Sequence, residues 1–433
     1  MRGSASLRRL RSSGSEVPIG HEDTCNRSRV PLNFSRPAPL RSFAGVRGRD
    51  EFSLDTAKRH LNHASYGAAP SRTIARRAEL VKEMQANPSR WFQELPQHHK
   101  TARRALASFV GAPEDELAMV TNASAAASAV FASIPLNRGD EAVITNHSYA
   151  SVAMGARRYA RQSDATIRVA EVALDARADQ TLIDVLGQVT DRTPLVIIDH
   201  ISSATARRFP VDELVAALAN RDIVIVIDGA HALGALPTPA VRAPNVVWFG
   251  NAHKYACAPS GAAVLIAQGK LAQNLMPVID SWGSELPFPE RFDLQGTIDS
   301  TGFLSAPHAI ETLDMHFGWD RIRRHTSELV TWAAREIANG LGELMDDNPD
   351  PQVGMPSPTQ RLLRLPAGVA SDGPSAHALK ERLAHEADCE VGVFSWEGTG
   401  FLRLSAHIYN EAEDYEYFIE RGLPIVASFR ELD

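Results

Sequence analysis

The stretch Asn251-Ala252-His253-Lys254-Tyr255 lies between two apolar runs, residues 245–249 and 262–267, and so sets one lysine between two predicted strands. An amine this close to buried strands is costly unless its charge is paired, neutralised or used covalently. Schiff-base chemistry uses such an amine, and Lys254 is the expected catalytic residue. Upstream, Ile223-Val224-Ile225-Val226-Ile227-Asp228 is an unbroken apolar run that ends on a carboxylate. An open α/β sheet presents its site residues at that end of a strand.

Working outward, residues 141–145, 167–172, 195–198 and 223–227 read as strands separated by helical stretches. Such alternation implies crossover connections and a largely parallel sheet. Asp199 and Asp228 stand just past two of these strands, either as site residues or as caps of the following helices. His147 and Tyr149 follow the strand at 141–145; either is a candidate to lie against a flat heterocycle, and packing is the alternative for both. Before that strand, Leu117 to Val120 leads into Thr121-Asn122-Ala123-Ser124, the predicted start of a small-residue helix. Its unpaired backbone N–H groups and the Ser124 hydroxyl make a phosphate seat, with a plain N-cap as the alternative.

Earlier, residues 61–70 (Leu-Asn-His-Ala-Ser-Tyr-Gly-Ala-Ala-Pro) read as a loop. Ser71 is expected to cap the next helix, Pro88 to close it, and a second helix over residues 101–110 to end at Gly111. Past Lys254 comes a long loop, 282–301, then helices over 306–317 and 321–345 and a Pro-rich linker at 348–358. A smaller α+β unit follows, with strands at 361–365, 391–394 and 401–405, a helix over 375–386 and a last helix from about residue 411. In Phe401-Leu402-Arg403-Leu404-Ser405, Arg403 faces away from the two leucines. It either grips a carboxylate through two parallel hydrogen bonds or faces solvent.

A lysine for an aldehyde and an acid for a pyridinium nitrogen are the pair that pyridoxal phosphate chemistry needs. Lys254 and Asp228, 26 residues apart, make pyridoxal 5′-phosphate the expected cofactor. The bulk numbers agree with a small-molecule enzyme. A chain of 433 residues is expected to form two domains, and a net charge of -7 argues against a general nucleic-acid binder. Three scattered cysteines (Cys25, Cys257, Cys389) make neither a disulfide framework nor a zinc pattern, which fits a reducing cytoplasm. No apolar run reaches the roughly 18 residues of a membrane span. Residues 1–55 read as a partly disordered extension, Arg- and Ser-rich at its start like a transit peptide, with Phe34 and Leu40 available to dock on the body. The large domain is then expected over residues 56–305 and the smaller one over 306–433.

Taken together, Asn62-His63-Ala64-Ser65-Tyr66-Gly67, Thr121-Asn122-Ala123-Ser124, Asp199-His200-Ile201-Ser202-Ser203, Asp228-Gly229-Ala230-His231, His253-Lys254 and Arg403-Leu404-Ser405-Ala406 resemble the isopenicillin N epimerase-like branch of the class V aminotransferases. The resemblance implies an α/β chain of PLP fold type I: a large domain with a mainly parallel, seven-stranded sheet, a smaller C-terminal α+β domain, and a homodimer with sites at the subunit interface. It implies Lys254 as the lysine that takes the cofactor's aldehyde and Asp228 as the partner of the pyridine nitrogen. Ala123, Ser124 and His253 resemble phosphate contacts, and His231 the histidine beside the ring. His200 or Ser203 approaches the phenolic oxygen, Thr297 reaches the phosphate of the neighbouring subunit, and Arg403 holds the substrate carboxylate. Asn62 and Tyr66 are expected on the substrate side, and Tyr149 joins Lys254 and Asp228 among the catalytic candidates.

The chain departs from the family at residues 255–261, where Trp and Lys are common, at Ala204, where Pro is usual, and at Ala150, where Gly is usual. The expected reaction is β-elimination from a bulky cysteine-derived amino acid, of the kind found in natural-product pathways. Epimerisation is the nearest rival, and decarboxylation-linked deamination follows if the carboxylate stands perpendicular to the ring. Two readings from other classes are weaker. An inactive PLP-fold binding protein would not need Lys254 and Asp228, and a nucleotide-binding protein would carry a GxGxxG or Walker loop that the early strands lack.

Overall fold

Alternate residues of the apolar runs feed two different cores, and this arrangement makes a sheet covered on both faces. The computed structural model describes residues 35–430, so the expectations for Cys25, Phe34 and the Arg-rich start lie outside the described residues. In chain order, a short β1 (Arg59–His60) precedes helices α1 (Ser71–Ala86) and α2 (Pro88–Val110), then β2 (Leu117–Val120), α3 (Ala123–Ser133), β3 (Glu141–Thr145), α4 (Ala150–Gln162) and β4 (Thr166–Ala170). There follow α5 (Ala178–Leu186), β5 (Leu195–Asp199), α6 (Val211–Ala217), β6 (Val224–Asp228), β7 (Val246–Asn251), β8 (Ala263–Ile266), α7 (Gly269–Asn274) and α8 (Thr301–Phe317).

The seven-stranded sheet has the order β2-β8-β7-β6-β5-β3-β4, and β8 alone runs against the others. Val196, Ile198, Ile225, Ile227 and Trp248 face a core completed by α2, α5, α6 and α8. Leu195, Ile197, Val226, Val247 and Phe249 face the other, closed by α3, α4 and α7. Each fully buried Ile or Leu contributes about 2 kcal/mol, so a one-residue register slip in a central strand would be prohibitive. The locked register sets Asp199 opposite Asp228 at the carboxyl ends of β5 and β6.

The rest of the chain forms α9 (Trp319–Gly342), β9 (Gln360–Arg364), α10 (Gly373–Glu386), β10 (Cys389–Glu390), β11 (Gly392–Trp396), β12 (Thr399–Ser405), α11 (Ala412–Arg421) and α12 (Leu423–Arg430). Strands β11, β12 and β9 make an antiparallel sheet, and β1 pairs with β10. Leu402 and Leu404 bury one face of β12 against helices of this C-terminal layer.

Three local expectations are corrected. Pro88 does not merely close a helix: it is the first residue of α2, which starts well before residue 101 because Asn87 caps it by accepting the Arg90 N–H at 3.2 Å. Proline at that position loses no intrahelical bond. Ser71 is the first residue of α1 rather than its cap, and its hydroxyl pairs with Ser53 at 2.7 Å. Residues 35–55, read as part of an extension, are folded onto the body, where Leu40 docks as expected. Leu40 and Phe52 are buried in the main core, Arg36 pairs with Glu416 at 2.6 Å, Arg49 with Asp414 at 2.9 Å, and Arg47 with Glu411. No helix among the described residues is long and apolar enough to cross a membrane.

Candidate active site

The carboxyl ends of β5 and β6, the turn after β7, the start of α3 and the C-terminal sheet converge on one cavity of about 370 Å³. Lys254, three residues past the end of β7, projects its amine into it and is buried. Its Nζ stands 2.9 Å from His231 Nε2. Burial pushes the ammonium down to about 8; Asp228 opposes this, Arg403 adds to it, and Asp199 opposes it more weakly. Beneath the lysine, His63 Nε2 donates to the Lys254 carbonyl at 3.0 Å and His407 Nε2 to the Tyr255 carbonyl at 3.1 Å, with the two imidazoles stacked 4.1 Å apart. Cys257 lies beside them. These three residues are metal-ligand types in one cluster, but their ring nitrogens are engaged, His63 Nδ1 by the Tyr409 hydroxyl at 2.7 Å. Gly67 presses on the same segment. A Cβ there would meet the His253 carbonyl oxygen at 2.5 Å, so only glycine allows the loop after Asn62 this close.

Asp228 Oδ1 accepts the Ala230 N–H at 2.9 Å, while Oδ2 is buried and has no partner among the described residues. Burial raises both Asp228 and Asp199, and Asp228 raises Asp199 further. A buried carboxylate with one free oxygen, in the wall of a cavity, fits a cationic N–H donor. A pyridinium nitrogen is such a donor, and the amine of Lys254 shares the cavity with it, so the residues present fit pyridoxal 5′-phosphate.

Ten of the residues singled out in the sequence line this cavity: Asn62, Tyr66, Ala123, Ser124, Tyr149, Ser203, Asp228, His231, His253 and Lys254. The others stand elsewhere. His147 is buried, donates from Nε2 to the Val172 carbonyl at 2.8 Å and stacks on Trp396, whereas Tyr149 is half exposed at the cavity wall. His200 is buried under the sheet end and receives the Trp248 indole N–H at 3.4 Å. Asp199 sits beside Asp228 on the neighbouring strand, steadied by the backbone N–H of Tyr149. Thr297 lies on the exposed surface of the 282–300 loop. At the start of α3, the Ala123 N–H is taken by Asn251 Oδ1 at 2.9 Å, and Ser124 Oγ meets Ser151 Oγ at 3.2 Å.

Arg403 is fully buried one layer behind the wall, not facing solvent. One terminal nitrogen donates to the Ser203 carbonyl at 2.5 Å, the other to Asn62 Oδ1 at 2.9 Å and Ser65 Oγ at 2.7 Å. Its guanidinium lies over the Phe394 ring at 4.5 Å. Further liners, among them Ser65, Asn251, Lys380 and Phe394, went unassigned in the sequence. Asn251 and Ser65 flank residues that were singled out. Lys380 and Phe394 come from α10 and β11, and only the packing of the C-terminal layer brings them here.

This fold and site define a pyridoxal-phosphate-dependent enzyme of fold type I. The aminotransferase class-V family model matches residues 60–355, and the chain belongs to that family. It is similar to isopenicillin N epimerase of Amycolatopsis lactamdurans, 27% identical over 399 residues that cover 87% of this chain and 97% of that protein. It is also similar to hercynylcysteine sulfoxide lyase of Schizosaccharomyces pombe, 24% identical over 381 residues (85% and 94%). Among solved structures, a C-DES mutant with glycine covalently linked to its PLP cofactor superimposes with a TM-score of 0.72 at 16% identity, covering 87% of this chain and 98% of that one. Pyridoxal 5′-phosphate is the cofactor of the family and of this chain.

Proposed function

We propose that the chain is a C–S lyase that removes a thiol by β-elimination from a bulky cysteine-derived amino acid in a natural-product pathway. The observation that carries this reading is the single buried amine of Lys254 in a cavity whose phenols are exposed, which gives one base and no buried acid facing it. When bound, the cofactor withdraws electrons from the substrate's α-carbon and so weakens whichever bond stands perpendicular to its ring. Asp228 is assigned to the ring nitrogen through its free oxygen, and Ser124 and His253 to the phosphate. Lys254 takes the Cα proton, the Cβ–S electron pair leaves with the thiolate, and the enamine that remains takes up water to give an oxoacid and ammonia. Elimination needs one base and no acid on the opposite face. The cavity has one buried amine, and its phenols, Tyr66 and Tyr149, are exposed.

Epimerisation is the second reading, favoured by the slightly higher identity to isopenicillin N epimerases; Tyr149 or Tyr66 would then return the proton from the other face. Incubation with an S-substituted cysteine is expected to release thiol and oxoacid in equal amounts. Recovery of intact, racemised substrate would reject elimination and favour the epimerase.

Arg403 is assigned to the substrate carboxylate, which replaces Asn62 and Ser65 as its partner. Arg403→Ala is expected to raise KM about 10²-fold while cofactor content stays that of the parent; loss of the cofactor instead would make Arg403 a purely structural residue. We further assign Thr297 to a neighbouring subunit in a homodimer. The nearby Val278, Ile279 and Trp282 support this, since all three are exposed and Trp282 is 91% so. The boundary between the larger and smaller domains is placed near residue 305.

A further inference from the structure

Gln360 opens β9, is fully buried, and has had no role so far. Its Nε2 lies 3.3 Å from His231 Nδ1, and the far nitrogen of that ring is the one 2.9 Å from Lys254 Nζ. The Gln360 side chain also faces the phenol oxygen of Tyr255, and Tyr255 donates its own proton to the Thr359 carbonyl at 3.4 Å. A carbonyl only accepts, so the Tyr255 oxygen is left as an acceptor toward Gln360. The amide therefore turns its N–H groups to Tyr255 and to His231 Nδ1. Its Oε1 has no partner among the described residues, so no bond to that oxygen opposes this orientation.

We propose that Gln360 is a positioning residue that holds the proton of His231 on Nε2 and thereby favours the neutral amine of Lys254. A nitrogen accepting from Gln360 carries no hydrogen, so the single proton of a neutral imidazole sits on Nε2 and points at Nζ. An amine has a lone pair to receive it; an ammonium has none. Charging Lys254 thus requires His231 to change tautomer and the Gln360 amide to turn over in a closed space. The other charged or titratable groups around the lysine are Asp228 on β6, Asp199 on β5, Arg403 on β12, and His63 and His253. Burial keeps His231 neutral. The inference rests on Lys254 as the cofactor lysine, but the proton's place is measurable without any turnover.

The test uses the full-length, cofactor-free chain with nitrogen-15 histidine, the His231 signals being assigned by their loss in His231→Gln. Above the pH at which Lys254 is neutral, His231 is expected as the Nε2–H tautomer. In Gln360→Glu the carboxylate accepts from the ring, and the Nδ1–H tautomer is expected. The rate of pyridoxal 5′-phosphate uptake is expected to rise with a midpoint near about 8 in the parent, and to shift upward by about one pH unit in the glutamate variant. An Nδ1–H parent, or an unchanged tautomer and midpoint in the variant, would overturn the proposal. If the variant does not fold, the parent's tautomer decides alone. Absence of elimination with a normal tautomer would count against the lyase reading only.

Discussion

Lys254→Ala is expected to lose the yellow cofactor colour on gel filtration and to lower turnover by about 10³-fold or more. The amine has two duties, as the nucleophile that holds the aldehyde and as the base for the α-proton, and no other primary amine is buried in the cavity. Removing an acid–base group typically costs 10²–10⁴-fold, and loss of covalent tethering adds to that. Lys380, the other lysine in the wall, belongs to α10 and is partly exposed, so it is not placed to substitute. Borohydride treatment followed by mass spectrometry is expected to find the pyridoxyl group on residue 254 in the parent and nowhere in the variant. A variant that still retains reduced cofactor covalently would refute the assignment.

Asp228→Asn is the second large effect. The substitution keeps the shape and leaves an oxygen to accept the Ala230 N–H, which is 2.9 Å from Oδ1 in the parent. It replaces the free Oδ2 acceptor by an N–H donor, so a protonated ring nitrogen would meet a donor instead of a carboxylate. A fall of about 10²-fold or more in kcat/KM is expected, with a folded protein and cofactor still bound. Activity within about threefold of the parent would mean that Asp228 does not face the ring nitrogen.

Much of this was legible in the chain because the relevant signals are local. Continuous apolar runs of strand length give a covered parallel sheet, and a sheet's carboxyl edge gives the site; Asp228, Lys254 and the start of α3 follow from that alone. Other features depended on long-range packing. His147 and Tyr149 are equally placed past β3, and only the arrival of Trp396 and Thr205 shows that the histidine is spent on packing. Arg403 was read correctly as turned from the leucines, but its partners lie far earlier in the chain, at Ser203, Asn62 and Ser65. Pro88 misled because proline both stops and starts helices, and the deciding Asn87 side chain is a weak sequence signal. Residues 35–55 have little apolar periodicity; Leu40 was the one docking residue legible there, while the burial of Phe52 and the ion pairs to α11 depend on long-range packing.

The paired imidazoles under the lysine have a consequence for the order of events during synthesis. The carbonyls of Lys254 and Tyr255 are gripped by His63 and His407, which lie 191 and 152 positions away along the chain. Contacts of such span form late, after loop closure has been offset by the surrounding core. A nascent chain that has finished β7 and β8 but has not reached residue 407 therefore holds its amine on a turn braced from one side alone, by His63.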